Sequence, residues 1–249
     1  MLVDTHCHIH ELDYSIPVED TFSHADESGV GSLICVGTSE ISSRDAIAFS
    51  EKHSRSYASV GVHPHDTKDG YAAIRELAGS SAKVVAVGEI GLDYFYTHSP
   101  KELQIQALND QLQIASDYNL PVIFHVREAF DDFWPIFDSF KGIRGVLHSF
   151  TDSSENLQKA IDRGLYIGVN GISTFTKDET QKATFDSIPL ENLLFETDAP
   201  FLTPAPFRGK VNEPAFVKNI AEYHAKRRGI PVIEIANATT TNAQALFAI

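Results

Sequence analysis

Two histidines near the start of the chain, His6 and His8, have the spacing of a metal half-site. They follow the apolar pair Leu2 and Val3 and are separated by Cys7. Side chains alternate between the two faces of a strand, so His6 and His8 point one way and Cys7 the other. Two imidazoles on one face can bind a single divalent cation. Two polar residues where a strand leaves the core would give the same pattern, so the pair alone leaves both interpretations open.

Residues of the types that bind metal ions recur along the chain, each at the end of a short apolar segment. They are His63 and His65, Glu89, His125, His148 and Asp198. Histidine and carboxylate ligands without thiols are typical of catalytic sites that bind one or two divalent cations. Each residue alone could be an ordinary surface group. Their recurrence at equivalent positions indicates that the fold brings them together.

The elements that must position these residues follow a regular alternation. Short segments rich in Val, Ile, Leu and Phe predict strands buried on both faces. They lie at 2–4, 32–36, 58–62, 84–89, 121–125, 145–149, 165–169 and 192–197. Predicted helices at 18–27, 42–53, 71–77, 101–119, 129–140, 154–163 and 177–187 separate them, and two more follow at 213–228 and 232–247. Gly29 and Gly164 are placed to end two of these helices.

Eight strands in alternation with helices predict an α/β fold, a single (β/α)8 barrel that spans residues 1–249 as one domain. The alternative is an open doubly wound sheet, but no GxGxxG turn follows the first predicted strand. In a barrel the C-terminal ends of the strands meet at one face, where active sites are built. The candidate ligands are therefore expected at that face.

The net charge of −14 limits the kinds of partner that the protein can bind. A strongly acidic surface repels polyanions at long range, which argues against broad, nonspecific binding of duplex DNA. Bound metal ions supply a large local positive charge, so a phosphate can still bind at a metal site. Attraction of an anionic substrate need only be local.

Cysteine content and hydropathy indicate a cytoplasmic protein. Two cysteines in 249 residues exclude a disulfide scaffold and favour a reducing compartment. No apolar run is long enough to span a membrane. No basic-then-apolar leader precedes the first predicted strand, and cleavage there would remove His6 and His8. The sequence does not fix the oligomeric state.

Taken in order, the motifs resemble those of the TatD family of metal-dependent deoxyribonucleases, among the amidohydrolase-like barrels. The matching segments are Asp4-Thr5-His6-Cys7-His8, Gly61-Val62-His63-Pro64-His65, Gly88-Glu89-Ile90-Gly91-Leu92-Asp93-Tyr94, His125-Val126-Arg127-Glu128-Ala129, His148-Ser149-Phe150-Thr151 and Glu196-Thr197-Asp198-Ala199-Pro200-Phe201-Leu202, and they extend into Arg208-Gly209-Lys210 and Asn212-Glu213-Pro214. The resemblance covers nearly the whole chain in colinear order. It implies a TIM-like barrel and a cytoplasmic hydrolase of phosphodiester bonds in DNA.

The resemblance also implies which residues bind metal. One ion would be held by His6, His8, Glu89 and Asp198, and a second by Glu89, His125 and His148. Glu89 would bridge the two, since a carboxylate has two oxygens. In related barrels a carbamylated lysine bridges the ions, but no lysine lies at the end of the fourth predicted strand. The donor set suits two divalent ions, and Zn, Mg, Mn and Ni stay open as their identity.

The expected chemistry is hydrolysis by metal-activated water. Asp198 would take the proton of the water as general base, and Glu89 is the second catalytic carboxylate through its bridging position. His63, Arg127 and Arg208 are the candidates to hold the phosphate. A narrow barrel mouth favours a DNA or nucleotide substrate with a single-stranded end, and thus an exonuclease.

Two other functions remain open at this point. The same scaffold could hydrolyse an ester, an amide or a lactone, because fold does not fix chemistry. It could also be a metal-binding module without turnover, although the proposed ligands and base are all present. Phe201 stands where the family usually has Tyr, which leaves substrate preference open. The aromatic residues Tyr94, Phe95 and Tyr96 could stack on a nucleobase or pack within a lid.

Overall fold

A computed structural model describes residues 1–96 and 98–249, and within them eight β-strands alternate with helices. The strands are β1 (Leu2–Cys7), β2 (Val30–Val36), β3 (Ser56–Val60), β4 (Val84–Asp93), β5 (Val122–Arg127), β6 (Gly145–Leu147), β7 (Tyr166–Val169) and β8 (Leu193–Phe195). Most of their residues are buried, as the runs of Val, Ile and Leu predicted.

Ten α-helices lie in the described part of the chain. They are α1 (Val18–Glu27), α2 (Glu40–Lys52), α3 (Ile74–Ala78), α4 (Lys101–Tyr118), α5 (Phe130–Ser139), α6 (Ser154–Asp162), α7 (Ile172–Phe175), α8 (Glu179–Ser187), α9 (Val217–Arg228) and α10 (Val232–Phe247). The side chains of Ser39, Ser153 and Asp178 cap the N-termini of α2, α6 and α8 by accepting backbone N–H groups. Gly29 and Gly164 follow α1 and α6 at φ 75° and 72°, which confirms their predicted place as helix ends.

The strands are ordered β1 to β8 in the sheet, in the sequence of the chain. Pairing between β3 and β4, β4 and β5, β5 and β6, and β7 and β8 is parallel. Cys7 at the end of β1 forms a parallel bridge to Ala199, just after β8, so the first strand lies beside the last. Eight sequential strands whose first and last members pair are a (β/α)8 barrel, as predicted.

The main correction concerns β4 and β5, which continue beyond their predicted ends. β4 runs to Asp93, so Glu89 lies inside it and does not close it, and β5 runs to Arg127, past His125. The ladder shifts register after Val87 and then continues, with Gly91 opposite His125. A Cβ on Gly91 would collide with the backbone carbonyl of His125, so this glycine marks close packing of two strands. His6 likewise lies within β1 and does not follow it.

Other differences are smaller. Helix α7 and the 3-10 segments at Pro64–Asp69 and Leu190–Asn192 were not predicted. A third 3-10 segment, Pro214–Phe216, lies within the helix predicted at 213–228. The helix predicted from residue 213 begins only at Val217, because the 3-10 turn precedes it. Short turns of this kind carry too few apolar positions to produce a periodic pattern.

The contacts group the chain into two compact units, Cys35–His148 and the pair of segments Met1–Ile34 and Ser149–Ile249. In the first unit α5 packs on β5: the ring of Phe133 lies 5.1 Å from that of Phe124, and Trp134 is 6% exposed. The single tryptophan is therefore part of the core. We keep one cooperative domain over residues 1–249 as a proposal. None of the helices in the described residues is long and apolar enough to cross a membrane.

Candidate metal-binding clusters

His6, His8 and Asp198 form one cluster of potential metal ligands, called here the His6 cluster. The Nε2 atoms of His6 and His8 are 3.1 Å apart. Oδ1 of Asp198 lies 3.4 Å from Nε2 of His8 and 3.7 Å from Nε2 of His6. His6 is fully buried and Asp198 is half-buried, so one edge of the cluster stays open to solvent.

Backbone pairing at the end of β1 and β8 holds the His6 cluster together. The backbone N–H of Asp198 donates to the carbonyl of His6 at 2.8 Å, and that of His8 donates to the carbonyl of Ala199 at 2.7 Å. Asp198 has φ 59°, a left-handed conformation that Asp tolerates better than most residues. The turn carries its carboxylate back toward the two imidazoles.

Asp4 adds a buried connection between the same two segments. Its carboxylate accepts the backbone N–H of Thr197 at 2.8 Å and the hydroxyl of Thr197 at 2.6 Å. Burial raises the pKa of Asp4 to about 8, against the opposing effect of these hydrogen bonds. Asp4 therefore fixes the backbone on which Asp198 sits.

A second group, called here the Glu89 cluster, consists of His63, Glu89, His125 and His148. Oε1 of Glu89 lies 2.8 Å from Nδ1 of His125, 3.5 Å from Nε2 of His63 and 3.7 Å from Nε2 of His148. Glu89 is buried, and its backbone N–H donates to the carbonyl of Gly37 at 2.8 Å. Three imidazoles from three different strands or strand ends thus converge on one carboxylate oxygen.

Asp93 and His65 extend the Glu89 cluster. Oδ2 of Asp93 accepts from Nε2 of His125 at 3.1 Å and from Nε2 of His65 at 2.9 Å. Because an ionised carboxylate can only accept, the Nε2 atom of each ring carries the proton. For His125 this leaves Nδ1, beside Glu89, as the nitrogen that can bind a cation.

Electrostatics differ between the histidines of the Glu89 cluster. Burial, and then the neighbouring His125, hold the pKa of His63 well below its usual range, so His63 is neutral. Burial also opposes a charge on His125, but hydrogen bonds to Asp93 and Glu89 outweigh it and raise the pKa of His125. For Asp93, burial raises the pKa, but the bonds from His125, the Tyr96 backbone and His65 together lower it.

The donor geometry of both clusters fits divalent cations. Two ligands bound at about 2.1 Å, at angles between octahedral and tetrahedral, are roughly 3.0–3.4 Å apart. The separations in the His6 cluster are 3.1, 3.4 and 3.7 Å. Those around Glu89 run from 2.8 to 3.7 Å. Each cluster offers imidazole nitrogens and one carboxylate, a donor set that suits a catalytic ion.

Two of the predicted phosphate ligands pack locally. The guanidinium of Arg127 lies over the ring of Phe95, with Cζ 3.9 Å from the ring centroid. That of Arg208 lies 3.8 Å over Phe175 and donates to the carbonyl of Thr203 at 2.7 Å. The third, His63, belongs to the Glu89 cluster, at a distance from Glu89 similar to that of His148. Their contact with phosphate stays a prediction.

Sequence reasoning missed the positioning roles of Asp4, His65 and Asp93, since it placed His65 only among the candidate ligands. Each lies in a motif segment, and none carries a pattern that assigns it a role. Asp4 and its partner Thr197 are 193 positions apart, and Asp93 lies 32 positions from His125. A signal was present in the two histidines of His63-Pro64-His65, since the second has the spacing of a companion to a ligand.

The comparisons with known sequences agree with one another. A model of the family described as TatD related DNase matches residues 3–248. An uncharacterized metal-dependent hydrolase, YabD of Bacillus subtilis (strain 168), is 38% identical over 255 residues, which cover 100% of this chain and 100% of YabD. The 3'-5' ssDNA/RNA exonuclease TatD of Shigella flexneri serotype 5b (strain 8401) is 35% identical over 246 residues, with 93% of each chain covered.

A solved structure of a TatD homolog is similar to this chain over its whole length. The crystal structure of YJJV, a TatD homolog from Escherichia coli K12, matches with a TM-score of 0.91 and 31% identity over 100% of this chain and 98% of that one. The likeness extends over all eight strands and confirms the barrel that the alternation of elements predicted.

Proposed function

This chain belongs to the TatD related DNase family and is a metal-dependent hydrolase, and on that premise we propose that it cleaves phosphodiester bonds of DNA from single-stranded ends. The observation that carries the proposal is the convergence of nitrogen and oxygen donors in the His6 and Glu89 clusters at separations typical of bound cations. The Shigella flexneri relative, a 3'-5' ssDNA/RNA exonuclease, supports a nucleic acid as substrate.

In the proposed mechanism the two clusters hold divalent cations, Zn, Mg, Mn or Ni, through His6, His8 and Asp198 and through Glu89, His125 and His148. Bound divalent cations lower the pKa of water and neutralise charge that develops on the phosphoryl oxygens. The sharing of Glu89 by both ions stays a prediction, for a structure with metal to test.

Asp198 acts as general base in this proposal. Its carboxylate lies at the open edge of the His6 cluster, where it can take a proton from water. The oxygen of that water forms a bond to phosphorus in line with the leaving group, the bond to the leaving oxygen breaks, and the leaving oxygen takes up a proton. The products are a phosphomonoester and an alcohol.

Arg127, His63 and Arg208 are proposed to hold the phosphate. The face of the Arg127 guanidinium is occupied by Phe95, but its N–H groups lie in the plane and can still bind phosphate oxygens in pairs. Neutral His63 can donate one hydrogen bond from a buried position. Arg208 already donates a hydrogen bond to the carbonyl of Thr203, so we expect it to contribute least to phosphate binding.

We also propose a cytoplasmic location, since the chain has only two cysteines, Cys7 and Cys35, and both are buried. So low a cysteine content favours a reducing compartment.

The test is a reconstitution assay on metal-stripped protein. Each candidate metal is added back, and end-labelled single-stranded DNA, duplex DNA, single-stranded RNA, a p-nitrophenyl ester, an amide and a lactone are offered. We expect metal-dependent cleavage of single-stranded DNA, with Asp198→Asn as the inactive control.

Two other outcomes would contradict the proposal. Turnover of the ester, amide or lactone without cleavage of any phosphodiester would assign the clusters to the alternative hydrolase. Stoichiometric metal binding without turnover of any substrate would make the protein a metal-binding module.

A further inference from the structure

Two aromatic side chains directly after β4 remain exposed. Phe95 is 48% and Tyr96 is 42% exposed, and their rings meet edge to face at 4.7 Å. Burying an aromatic ring stabilises a protein more than burying most side chains. Tyr96 also stacks on the ring of His98 at a centroid distance of 5.5 Å, but about half of each aromatic residue stays accessible to solvent. Two adjacent rings with this exposure need a reason in binding or in local support.

Tyr94, the neighbour of this pair, is held by local contacts. Its hydroxyl donates to Asp132 at 2.8 Å, and the ammonium of Lys101 lies 4.7 Å from the centre of its ring. Lys101 also pairs with Asp132 at 2.6 Å. Tyr94 thus anchors the segment to α4 and α5, and it is Phe95 and Tyr96 that face outward.

Arg127 supports the exposed pair from β5. Its guanidinium lies 3.9 Å from the ring centroid of Phe95 and 5.0 Å from that of Tyr96. Among the described residues, none provides an acceptor for its in-plane N–H groups. A stacked arginine loses little conformational freedom and keeps its edge free for an anion.

Asp93 ties this pair to the Glu89 cluster. Its Oδ1 accepts the backbone N–H of Phe95 at 2.9 Å and of Tyr96 at 3.0 Å, while its Oδ2 faces His125. One buried carboxylate therefore fixes the backbone of the aromatic pair and the orientation of a candidate metal ligand. The rings of Phe95 and Tyr96 are therefore held in a fixed position relative to the Glu89 cluster.

We propose that Phe95 and Tyr96 are a stacking site for an unpaired nucleobase of the substrate, with the edge of Arg127 binding the adjoining phosphate. The proposal rests on the proposed function and narrows it, because only an unpaired base exposes a face to stack. Base-aromatic stacking tolerates any base, so this site recognises single strands without reading their sequence. Arg127 acts as a positioning residue for the rings as well as a phosphate ligand.

The experiment compares oligonucleotides that differ only in one base. Metal-loaded protein is assayed on a single-stranded oligothymidylate that carries 2-aminopurine near its cleaved end, and on the same oligomer with an abasic tetrahydrofuran residue at that position. We expect kcat/KM to be roughly 5- to 150-fold higher for the base-bearing oligomer, the range of one stacked base. Binding should also quench the fluorescence of 2-aminopurine.

Four variants test whether the aromatic pair causes the difference between the two oligomers. Phe95→Leu and Tyr96→Leu should each bring the ratio of the two kcat/KM values toward one and reduce the quenching, while Phe95→Trp should restore both. Tyr118→Leu is the matched control: Tyr118 is 41% exposed, at the C-terminal end of α4. A helix that follows a strand in a barrel runs back along it, so this end lies away from the C-terminal ends of the strands.

Equal loss of kcat/KM on both oligomers in Phe95→Leu and Tyr96→Leu, without change in quenching, would overturn the stacking site and make the pair structural. If wild-type protein cleaves neither oligomer nor bis(p-nitrophenyl) phosphate, the proposed function fails. The 2-aminopurine titration then still decides this inference: absence of quenching, or quenching that Phe95→Leu leaves intact, would refute it.

Discussion

Asp93→Asn should reduce metal affinity although Asp93 is not itself a proposed ligand. Oδ1 of Asp93 accepts two backbone N–H groups and Oδ2 accepts from the Nε2 atoms of His65 and His125. An asparagine has one acceptor oxygen, which the two backbone groups will keep. Its NH2 group then faces the two rings and donates, so both Nε2 atoms must become acceptors.

The consequence for His125 follows from its other nitrogen. A proton displaced from Nε2 moves to Nδ1, which lies 2.8 Å from Oε1 of Glu89. There it forms a hydrogen bond with Glu89 and removes the lone pair that a cation needs. Loss of such a supporting carboxylate typically lowers metal affinity by roughly 10- to 100-fold, which is about 1.4–2.7 kcal/mol.

The measurement is a competition titration of Zn²⁺ between the protein and a fluorescent chelator, on Asp93→Asn and wild type. Ring ¹⁵N chemical shifts of His125 report the tautomer directly. Asp110→Asn is the control, because the exposed Asp110 accepts a hydrogen bond from Tyr71 in the same compact unit. A change of less than about threefold in Zn²⁺ affinity, with His125 still protonated at Nε2, would refute the reasoning.

Four further predictions follow from the structure. Asp198→Asn should lower turnover on the order of 10²–10⁴ with the fold intact, and near-normal turnover at full metal occupancy would assign the base elsewhere. Arg127→Ala should lower kcat/KM on DNA by roughly 10- to 150-fold at unchanged metal content. A loss of kcat/KM in proportion to a loss of metal would instead show that Arg127 only supports the structure. Burial lowers the pKa of His224 to about 3, so the unfolded chain takes up a proton at a higher pH than the folded protein does, and the free energy of unfolding falls as the pH drops from about 6.5 toward 3. His224→Phe should make this fall smaller. An unchanged pH dependence of the free energy of unfolding would contradict the prediction. One domain over residues 1–249 predicts that far-UV circular dichroism and the fluorescence of Trp134 report a single unfolding transition, and two separated transitions would contradict it.

His224→Phe is a clean substitution because of the neighbouring hydroxyl. Oγ of Ser173 donates to the carbonyl of Asn170 at 2.7 Å and can only accept from Nε2 of His224 at 2.9 Å. Removal of the imidazole therefore leaves no unsatisfied donor on Ser173. The phenyl ring keeps the stacking against Phe195, whose ring centroid lies 5.6 Å from that of His224.

The order of elements could be predicted because a barrel strand buried on both faces is a local run of apolar residues. All eight strands were predicted in this way. The candidate ligands were selected because they follow or end such runs, and their binding of metal stays a prediction. The ends of β4 were not predictable by the same rule. Gly88 and Gly91 resemble strand terminators, yet Gly91 lies within the ladder, where the carbonyl of His125 leaves no room for a side chain.

The roles of the supporting residues could not be predicted, because they depend on contacts between distant positions. Nothing near Asp4 in the sequence indicates that its carboxylate binds Thr197. For the same reason, the sequence could not show which of Tyr94 and Phe95 is held by local contacts and which is exposed. The structure separates them through Asp132 and Lys101, which hold Tyr94 and leave Phe95 in solvent.

Local charge would allow an acidic chain to act on the polyanion that we propose as its substrate. The chain carries a net charge of −14. The His6 cluster carries the carboxylate of Asp198, and the Glu89 cluster carries that of Glu89 with the carboxylate of Asp93 beside it. A divalent cation bound in either cluster would offset this negative charge, so metal loading would make the site less repulsive to a phosphate. Under the proposed function, attraction of the substrate would depend on these short-range charges and on Arg127, and the acidic surface would repel a long duplex. For this reason we propose a flexible single-stranded end as the substrate.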